Sequence, residues 1–291
     1  MPLSHLLLAL SVALVWGFNF VVIELGLDGF TPLFLSFVRF FLASIPAIFF
    51  VSRPKIPFKL VARYGICLLA LPFGLVFLGM YAGVTAGLAA LLLQLQVFFT
   101  AIFALVFLGE KLHPWQVVGA LVSFSGIALV GLHLNGEVTV SGFSLVLLGA
   151  AAFGIGNVVS KSIGKVDMLT LVAWGSLVAW PLLLILSVLV EGVDQIMNSF
   201  QHLTWVSSGA ALYLGYLTSL FGFWAWSWLL ARHPLAMIAP FGLLTPIIAL
   251  FASAMVLSEP LEVWKIGAAA LVIFGLCINL LGPWMFSKKK S

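Results

Sequence analysis

One short motif occurs twice in this chain, first as Gly109-Glu110-Lys111-Leu112-His113-Pro114-Trp115 and again as Ser258-Glu259-Pro260-Leu261-Glu262-Val263-Trp264. The Glu, Leu and Trp that the two copies share are each 149 positions apart, and Gly126 and Gly275 keep the same spacing. The sequence therefore predicts an internal duplication. We divide it into a first membrane repeat, residues 1–134, and a second repeat with a short basic tail, residues 135–291.

Composition places the chain in a membrane. Hydrophobic residues make up 63% of the 291 positions, charged residues only 8%, and the mean hydropathy is +1.24. Soluble domains carry about 25% charged residues, and a helix needs about 20 mostly apolar residues to cross a bilayer. The apolar stretches leave no room for a soluble domain and predict ten helices, at residues 4–26, 33–51, 63–83, 87–108, 115–132, 142–163, 168–190, 204–230, 235–257 and 263–286.

Each copy of the duplicated unit then holds five helices, which is an odd number. The second copy must therefore enter the bilayer in the opposite orientation to the first. Inverted repeats of this kind are typical of secondary transporters, whose substrate site lies between the repeats near the midplane. We expect an all-α integral membrane protein of ten transmembrane helices in two inverted-topology five-helix repeats. Carriage of a small solute is the leading hypothesis.

The distribution of Lys and Arg predicts the orientation, because cytoplasmic loops are enriched in basic residues. With a cytoplasmic N-terminus, most of the 13 basic residues fall on the cytoplasmic side. These are Arg53, Lys55, Lys59, Arg63, Lys111, Lys161, Lys165, Arg232, Lys288, Lys289 and Lys290, and the external side carries Asp28, Glu137, Glu191, Asp194, Glu259 and Glu262. We expect both termini in the cytoplasm of a bacterium, with the chain in the inner membrane. The net charge of +4 then reflects topology, and no nucleic-acid surface is expected.

Polar residues inside the predicted helices are the candidates for a substrate site, since such groups are costly in hydrocarbon and usually face the bundle interior. Asn19 and Asn157 lie at similar depths in the first helix of each half, and an amide offers both donors and acceptors. Pro240 and Pro246 would bend the ninth helix and free backbone carbonyls. The predicted substrate-binding residues are Trp16, Asn19, Gln94, Gln96, Asn157, Pro240 and Thr245. The alternative is that the amides only join helices and the prolines only kink one.

Arg39 is the basic residue deepest inside a predicted span, about 10 Å from its start at 1.5 Å per residue. Glu24, near the outer end of the first helix, is the candidate partner for an ion pair. The alternative interpretation of Arg39 is a docking point for a substrate carboxylate. Because Glu24 is the one acidic residue inside a predicted helix, we expect weak or no proton coupling. The rival hypothesis is an antiporter that uses Glu24 as its proton site.

No motif predicts catalysis or a bound cofactor. The five histidines fall at helix ends or in loops without the spacing of metal ligands, and no GxxxxGK[ST] phosphate-binding loop occurs. Cys67 and Cys277 fall in separate spans and predict no disulfide. We therefore expect a protein that is not an enzyme and has no catalytic residue, metal or cofactor. Its expected partners are a small-molecule substrate and the lipid bilayer, and the sequence specifies no oligomeric state.

Several stretches resemble one family of transporters. They are Val15-Trp16-Gly17-Phe18-Asn19-Phe20-Val21-Val22, Arg53-Pro54-Lys55, Gln94-Leu95-Gln96-Val97-Phe98-Phe99-Thr100, Gly109-Glu110-Lys111-Leu112, Ala239-Pro240 and Thr245-Pro246. Together they resemble the EamA-type drug/metabolite transporter superfamily, and most of all its bacterial O-acetylserine/cysteine exporter branch. The resemblance implies a central cavity and efflux of small amino-acid-like metabolites by alternating access. The second half has Phe153-Gly154-Ile155-Gly156-Asn157 where the first has Trp16-Gly17-Phe18-Asn19, so the two sides of that cavity need not be equivalent.

Two other hypotheses stay open at this point. One is a carrier of a different solute, such as an aromatic amino acid, a drug or a lipid-linked group. The other is a membrane protein with no transport role. The duplication disfavours the second, because a chain with one static role has no evident need for two pseudo-symmetric arrangements.

Overall fold

The computed structural model describes residues 1–134, 138–164 and 166–287. The charges that the sequence analysis assigned to Glu137, Lys165 and Lys288–Lys290 therefore lie outside the described residues. Within the described ranges, ten helical segments are long and apolar enough to cross a membrane, which confirms the all-α, ten-helix prediction. They are α1 Leu3–Leu27, α2 Pro32–Phe50, α3 Phe58–Tyr81, α4 Ala86–Leu108, α5 Pro114–Gly131, α6 Val140–Ile163, α7 Met168–Val190, α8 Trp205–Leu230, α9 Leu235–Val256 and α10 Val263–Ser287.

Helices α5 and α10 pack against each other through the register of the duplication. The Ser123 hydroxyl donates to the Val272 carbonyl at 3.1 Å, and these two residues are 149 positions apart. On one side of this bond, the Gly275 carbonyl oxygen lies 2.5 Å from where a Cβ on Gly119 would be. On the other side, the Ala268 carbonyl oxygen lies 2.8 Å from where a Cβ on Gly126 would be. A shift of 149 positions exchanges these two contacts. Such an antiparallel crossing is what a two-fold axis in the membrane plane requires of an inverted repeat.

A second likeness between the halves lies in α3 and α8. Each contains a π-helical segment, Gly65–Ala70 in α3 and Tyr213–Phe221 in α8. The two segments occupy nearly equivalent positions of the duplication, since residues 65 and 214 are one repeat apart. π-Helical turns are rare and are frequent at functional sites, because they redirect side chains and leave carbonyls without their usual partners.

The halves differ in α4 and α9. Helix α9 continues from Leu235 to Val256 with Pro240 and Pro246 inside it. Helix α4 consists of Ala86–Leu93 and Gln96–Leu108, joined at Gln94 and Leu95 by hydrogen bonds between residues three apart. Pro240 and Pro246 predict that the irregular, cavity-facing element is α9. The structure places the interruption in α4, in a stretch without glycine or proline, so tertiary packing rather than local propensity decides it.

Successive spans alternate in direction, which defines two faces of the bundle. We call the end that carries Leu3 and the loops 109–113 and 231–234 the N-terminal face. The other end, with loops 82–85 and 257–262, is the opposite face. Between them, an apolar core joins α2, α3 and α7 with the first half of α4, whose eight residues are all buried.

Candidate functional site

The first polar cluster lies between α1, α2 and α8, and we call it the arginine cluster. Arg39 donates from Nη1 to Asn19 Oδ1 at 3.2 Å and from Nε to Ser219 Oγ at 3.1 Å. Its guanidinium carbon lies 4.1 Å from the centre of the Phe73 ring. Arg39 is only 1% exposed and Asn19 only 4% exposed, so the cluster is enclosed by protein.

Arg39 has no acidic partner among the described residues, where the one ion pair is Lys161–Glu110. The predicted pair with Glu24 is therefore not formed. Glu24 lies beyond Asn19 toward the opposite face, and its Oε2 is buried without a hydrogen-bond partner in the described part of the chain. A buried charge is costly unless it is paired. In the arginine cluster, two neutral oxygens and an aromatic ring take the place of a counter-ion.

Trp16 extends the arginine cluster along α1. Its indole Nε1 donates to the Thr218 carbonyl at 3.2 Å, and its ring lies against Trp226 with centroids 5.2 Å apart. Gly222 makes this possible, because a Cβ there would lie 2.3 Å from Trp16 Nε1. The Thr218 hydroxyl is buried and has no partner among the described residues. Trp16 and Asn19 therefore face the same helix, α8, one turn apart.

The second polar cluster lies between α4 and α6, and we call it the amide cluster. Asn157 Nδ2 donates to Gln96 Oε1 at 2.8 Å and to Thr100 Oγ1 at 3.0 Å. The Thr100 hydroxyl donates in turn to the Gln96 carbonyl at 2.6 Å. All three side chains are half-buried rather than enclosed. The cluster carries no formal charge and follows the interruption of α4 directly.

The remaining predicted site residues do not belong to either cluster. Gln94 is half-buried at the interruption of α4, and its side chain makes no hydrogen bond with the described residues. Thr245 lies where α9 meets α1, since a Cβ on Gly17 would be 3.2 Å from the Thr245 carbonyl. The Thr245 hydroxyl is buried without a partner in the described part of the chain. Pro240 is exposed, nearer the N-terminal face.

Sequence reasoning missed Ser219 and Phe73 as neighbours of Arg39, and Thr218 as the hydrogen-bond partner of Trp16. Serine and threonine are common in membrane helices, where they bond backbone carbonyls, and Ser219 does so to Leu214. A phenylalanine in an apolar span carries no signal at all. One clue was available: Thr218 and Ser219 fall in the π-helical segment of α8, but that irregularity is itself a product of packing.

Helices α4 and α9 meet mainly at the opposite face. The first half of α4 packs closely against α9, and Gly87 lies where a Cβ would be 2.8 Å from a Leu250 methyl and 2.9 Å from the Ser253 hydroxyl. The second half of α4 packs against α6 instead. Its last residues, Leu105–Leu108, are exposed. The bundle is thus held together at the opposite face, and α4 and α9 separate toward the N-terminal face.

The two faces also differ in the partners of their glutamates. At the opposite face, Glu259 Oε1 accepts a hydrogen bond of 2.9 Å from the backbone N–H of Ala86, the first residue of α4. At the N-terminal face, Glu110 binds Lys161 Nζ at 2.6 Å in a pair that is about half exposed. No cluster of His, Cys, Asp or Glu with metal-ligand geometry occurs in the described ranges.

Comparison with known proteins identifies a family that covers most of the chain. The sequence profile of the EamA-like transporter family matches residues 3–132 and 140–281. The chain is 37% identical to a "Probable amino-acid metabolite efflux pump" of Salmonella typhimurium and 36% identical to the protein of the same description in Escherichia coli K12, in each case over 94% of both chains. An "Uncharacterized transporter YoaV" of Bacillus subtilis is 25% identical over 97% of both chains. A crystal structure at 18% identity superposes over the full length of both chains with a TM-score of 0.68, which shows a common fold.

Proposed function

The chain belongs to the EamA-like transporter family and is a multi-pass membrane transporter, and we propose that it exports small amino-acid-like metabolites of the cysteine and O-acetylserine class. The similar pumps of Salmonella typhimurium and Escherichia coli are named for amino-acid metabolites, which supports this class of solute. The membrane is the bacterial inner membrane, with the N-terminal face in the cytoplasm. The basic residues on that side support this orientation.

The observation that carries the proposal is the unpaired positive charge of Arg39. Three of its five N–H groups have no acceptor among the described residues. A unit charge attracts a carboxylate 4 Å away by about 4 kcal/mol at an effective dielectric constant of 20. The arginine cluster therefore favours solutes that carry a carboxylate and disfavours cations. It supplies the positive potential that an amino acid needs to enter an apolar bundle.

The amide cluster complements that charge without adding another. Gln96 and Asn157 are half-buried and offer both donors and acceptors, so they suit the ammonium, hydroxyl or thiol groups of an amino-acid metabolite. We assign substrate contact to Trp16, Asn19, Gln94, Gln96, Asn157, Pro240 and Thr245, and the charge that selects the substrate to Arg39. The separation of α4 and α9 at the N-terminal face supports loading from the cytoplasm, which is the direction of export.

Counterflow in reconstituted vesicles tests this function. We expect uptake of labelled cysteine or O-acetylserine to be competed by other small amino acids, and not by the methyl esters or amides of the same compounds. A carrier for cationic drugs or lipid-linked groups would give the reverse pattern. Vesicles without protein and vesicles with the Asp194→Asn variant, changed in the surface helix Val193–Gln201, serve as controls. Competition by esters as strong as by acids would overturn the proposed substrate class.

Orientation has its own test. A reporter fused after Lys290 should score as cytoplasmic, and an accessible tag in loop 191–203 should score as external. The physical reason is the excess of Lys and Arg on the side of the N-terminus. An external C-terminal reporter would contradict the orientation, and together with a cytoplasmic N-terminus it would also contradict the even number of spans.

A further inference from the structure

The two copies of the duplicated motif place a glutamate at the same position and give it different partners. Glu259 follows the end of α9 by three residues, and its carboxylate accepts from the backbone N–H of Ala86 at 2.9 Å. Ala86 begins α4, and the preceding Thr85 makes no capping hydrogen bond of its own. The first N–H groups of a helix have no partner within the helix and carry partial positive charge. Glu259 therefore joins the end of α9 to the start of α4, and we call such a bond between a glutamate and the first N–H of a helix a latch.

Glu110 stands in the equivalent place at the N-terminal face. It follows the end of α4 by two residues and is 149 positions before Glu259. The residue equivalent to Ala86 is Leu235, the first residue of α9, and its N-cap Pro234 has no side chain that can cap the helix. Glu110 binds Lys161 at the end of α6 instead. The latch of Glu259 is thus formed at the opposite face, whereas at the N-terminal face Glu110 pairs with Lys161 and the equivalent latch is open.

We infer that Glu259 and Glu110 are alternating latches, in which Glu110 leaves Lys161 and caps the start of α9 when Glu259 releases the start of α4. This inference rests on the proposed alternating-access export. It assigns Glu259, Glu110 and Lys161 the role of positioning residues that set which face is closed. None of the three contacts substrate.

The sequence around the second latch fits the same movement. At the opposite face, Gly87 allows close approach to Leu250 and Ser253. The positions one repeat away from these three are Ala236, Ala101 and Ala104, all with small side chains. Small residues let two membrane helices approach closely. The second half of α4 is therefore suited to close against the start of α9, as the first half does against the end of α9.

Both latches cannot be closed in the described packing. Helix α4 meets α9 through its first half and turns to α6 through its second half. Closing the N-terminal face requires the second half to move from α6 toward α9. That movement withdraws Glu110 from Lys161, because Lys161 belongs to α6. Lys161 therefore stabilises the described arrangement by holding Glu110 away from α9.

Thiol labelling without substrate tests the latch. In a background of Cys67→Ser and Cys277→Ser, single cysteines at the equivalent positions 101 and 250 report the N-terminal face and the opposite face. A membrane-impermeant maleimide is applied to inside-out vesicles for position 101 and to right-side-out vesicles for position 250. Loss of a charge-assisted cap should shift the two states about tenfold or more. Glu259→Ala should raise labelling at position 250 and lower it at position 101 by that factor.

The sign pattern over three variants distinguishes a latch from a structural role. Lys161→Gln should shift labelling in the same direction as Glu259→Ala. Glu110→Gln loses both the half-exposed pair with Lys161 and the charged cap on α9, and because an exposed pair contributes less than a charge-assisted cap, its net shift should be in the opposite direction. Asp194→Asn is the matched acidic control and should change neither rate. Glu259→Gln keeps an acceptor oxygen without the charge, so it should give an intermediate shift even if Glu259→Ala does not fold. Equal or same-direction shifts for Glu259 and Glu110 variants would overturn the inference.

Labelling also separates this inference from the proposed function. The rates are measured with no solute present, so they report the two latches whatever the substrate is. If cysteine and O-acetylserine are not transported but the labelling shifts have the predicted signs, the substrate class alone is overturned. Transport of those solutes without the sign pattern would overturn the latches alone.

Discussion

Each polar cluster contains one asparagine from the first helix of its half, and the two asparagines differ in their hydrogen-bond partners. Asn19, on α1, is enclosed and accepts a hydrogen bond from the cation Arg39. Asn157, on α6, is half-buried and donates to two neutral groups on α4. The arginine cluster ties three helices together, and the amide cluster ties α6 to the interrupted α4. The first helices of the two halves thus carry similar amides, and packing gives Asn19 a charged partner and leaves Asn157 partly accessible.

This difference gives the two clusters different parts in the proposed transport: the arginine cluster selects the solute by its charge, and the amide cluster contacts the solute as it passes. A buried, unpaired cation sets the sign of the potential inside the bundle, whereas neutral amides exchange hydrogen bonds with a passing solute at little cost. In the proposed export cycle, the arginine cluster stays with α1, α2 and α8. The amide cluster lies on α4 and changes its surroundings when the latches alternate.

The largest expected effect follows from removing the charge. Arg39→Gln should lower the initial rate of cysteine or O-acetylserine transport about 100-fold, because it removes an attraction of several kcal/mol for the carboxylate. Arg39→Lys keeps the charge but loses the planar guanidinium donors. Its transport rate should therefore lie between those of the wild type and Arg39→Gln. Vesicle uptake is compared at equal amounts of folded protein. Undiminished transport of a carboxylate by Arg39→Gln would end the charge-selection hypothesis.

Asn19→Asp supplies Arg39 with a counter-ion and changes little in shape, so it tests the free charge of Arg39 directly. We expect transport to fall by at least about tenfold while thermal stability is kept or increased, since the buried cation gains an anionic partner. Asn157→Asp is the matched control in the amide cluster, where no cation is present to be neutralised. Equal losses of transport in the two variants would show that Arg39 does not distinguish the clusters.

Replacing the amides by leucine should separate the clusters by stability. Asn19→Leu leaves Arg39 with Ser219 as its one hydrogen-bond acceptor and should cost about 2 kcal/mol of unfolding free energy. Asn157→Leu and Gln94→Leu should cost about 1 kcal/mol or less, yet still abolish most transport if these residues line the path. Thermal unfolding and transport are measured on the same preparations. Wild-type transport in all three variants would remove the assignment of substrate contact.

The smallest effect is expected at Glu24. Glu24→Gln should leave downhill transport within about twofold of wild type, because Glu24 lies beyond Asn19 toward the opposite face and has no hydrogen bond to either cluster in the described part of the chain. We also expect an imposed pH gradient to drive little accumulation. Strong uphill accumulation that disappears in Glu24→Gln would establish the rival antiporter, in which Glu24 carries the proton.

The sequence alone was sufficient for the ten spans, and it predicts a duplication with a spacing of 149 positions. Ten apolar stretches of about 20 residues leave few other folds in a bilayer, since each backbone polar group must be satisfied within its own helix. The spacing of 149 positions between the motifs reappears in space as the bond between Ser123 and Val272. These features depend on composition and spacing, which a linear sequence records directly.

Partner choice among the polar residues depended on the tertiary structure. The sequence predicts a pair between Arg39, which lies inside a span, and Glu24, the one acidic residue in a predicted helix, but in the structure Arg39 donates to Asn19 and Ser219. The interruption of α4 at Gln94 likewise has no proline or glycine to announce it, whereas the prolines of α9 leave that helix continuous. Hydrophobicity and spacing determine which segments cross the membrane and in what order. The rotation of each helix about its axis and the angle at which it crosses its neighbours determine which side chains meet, and these are fixed only when all ten helices pack together.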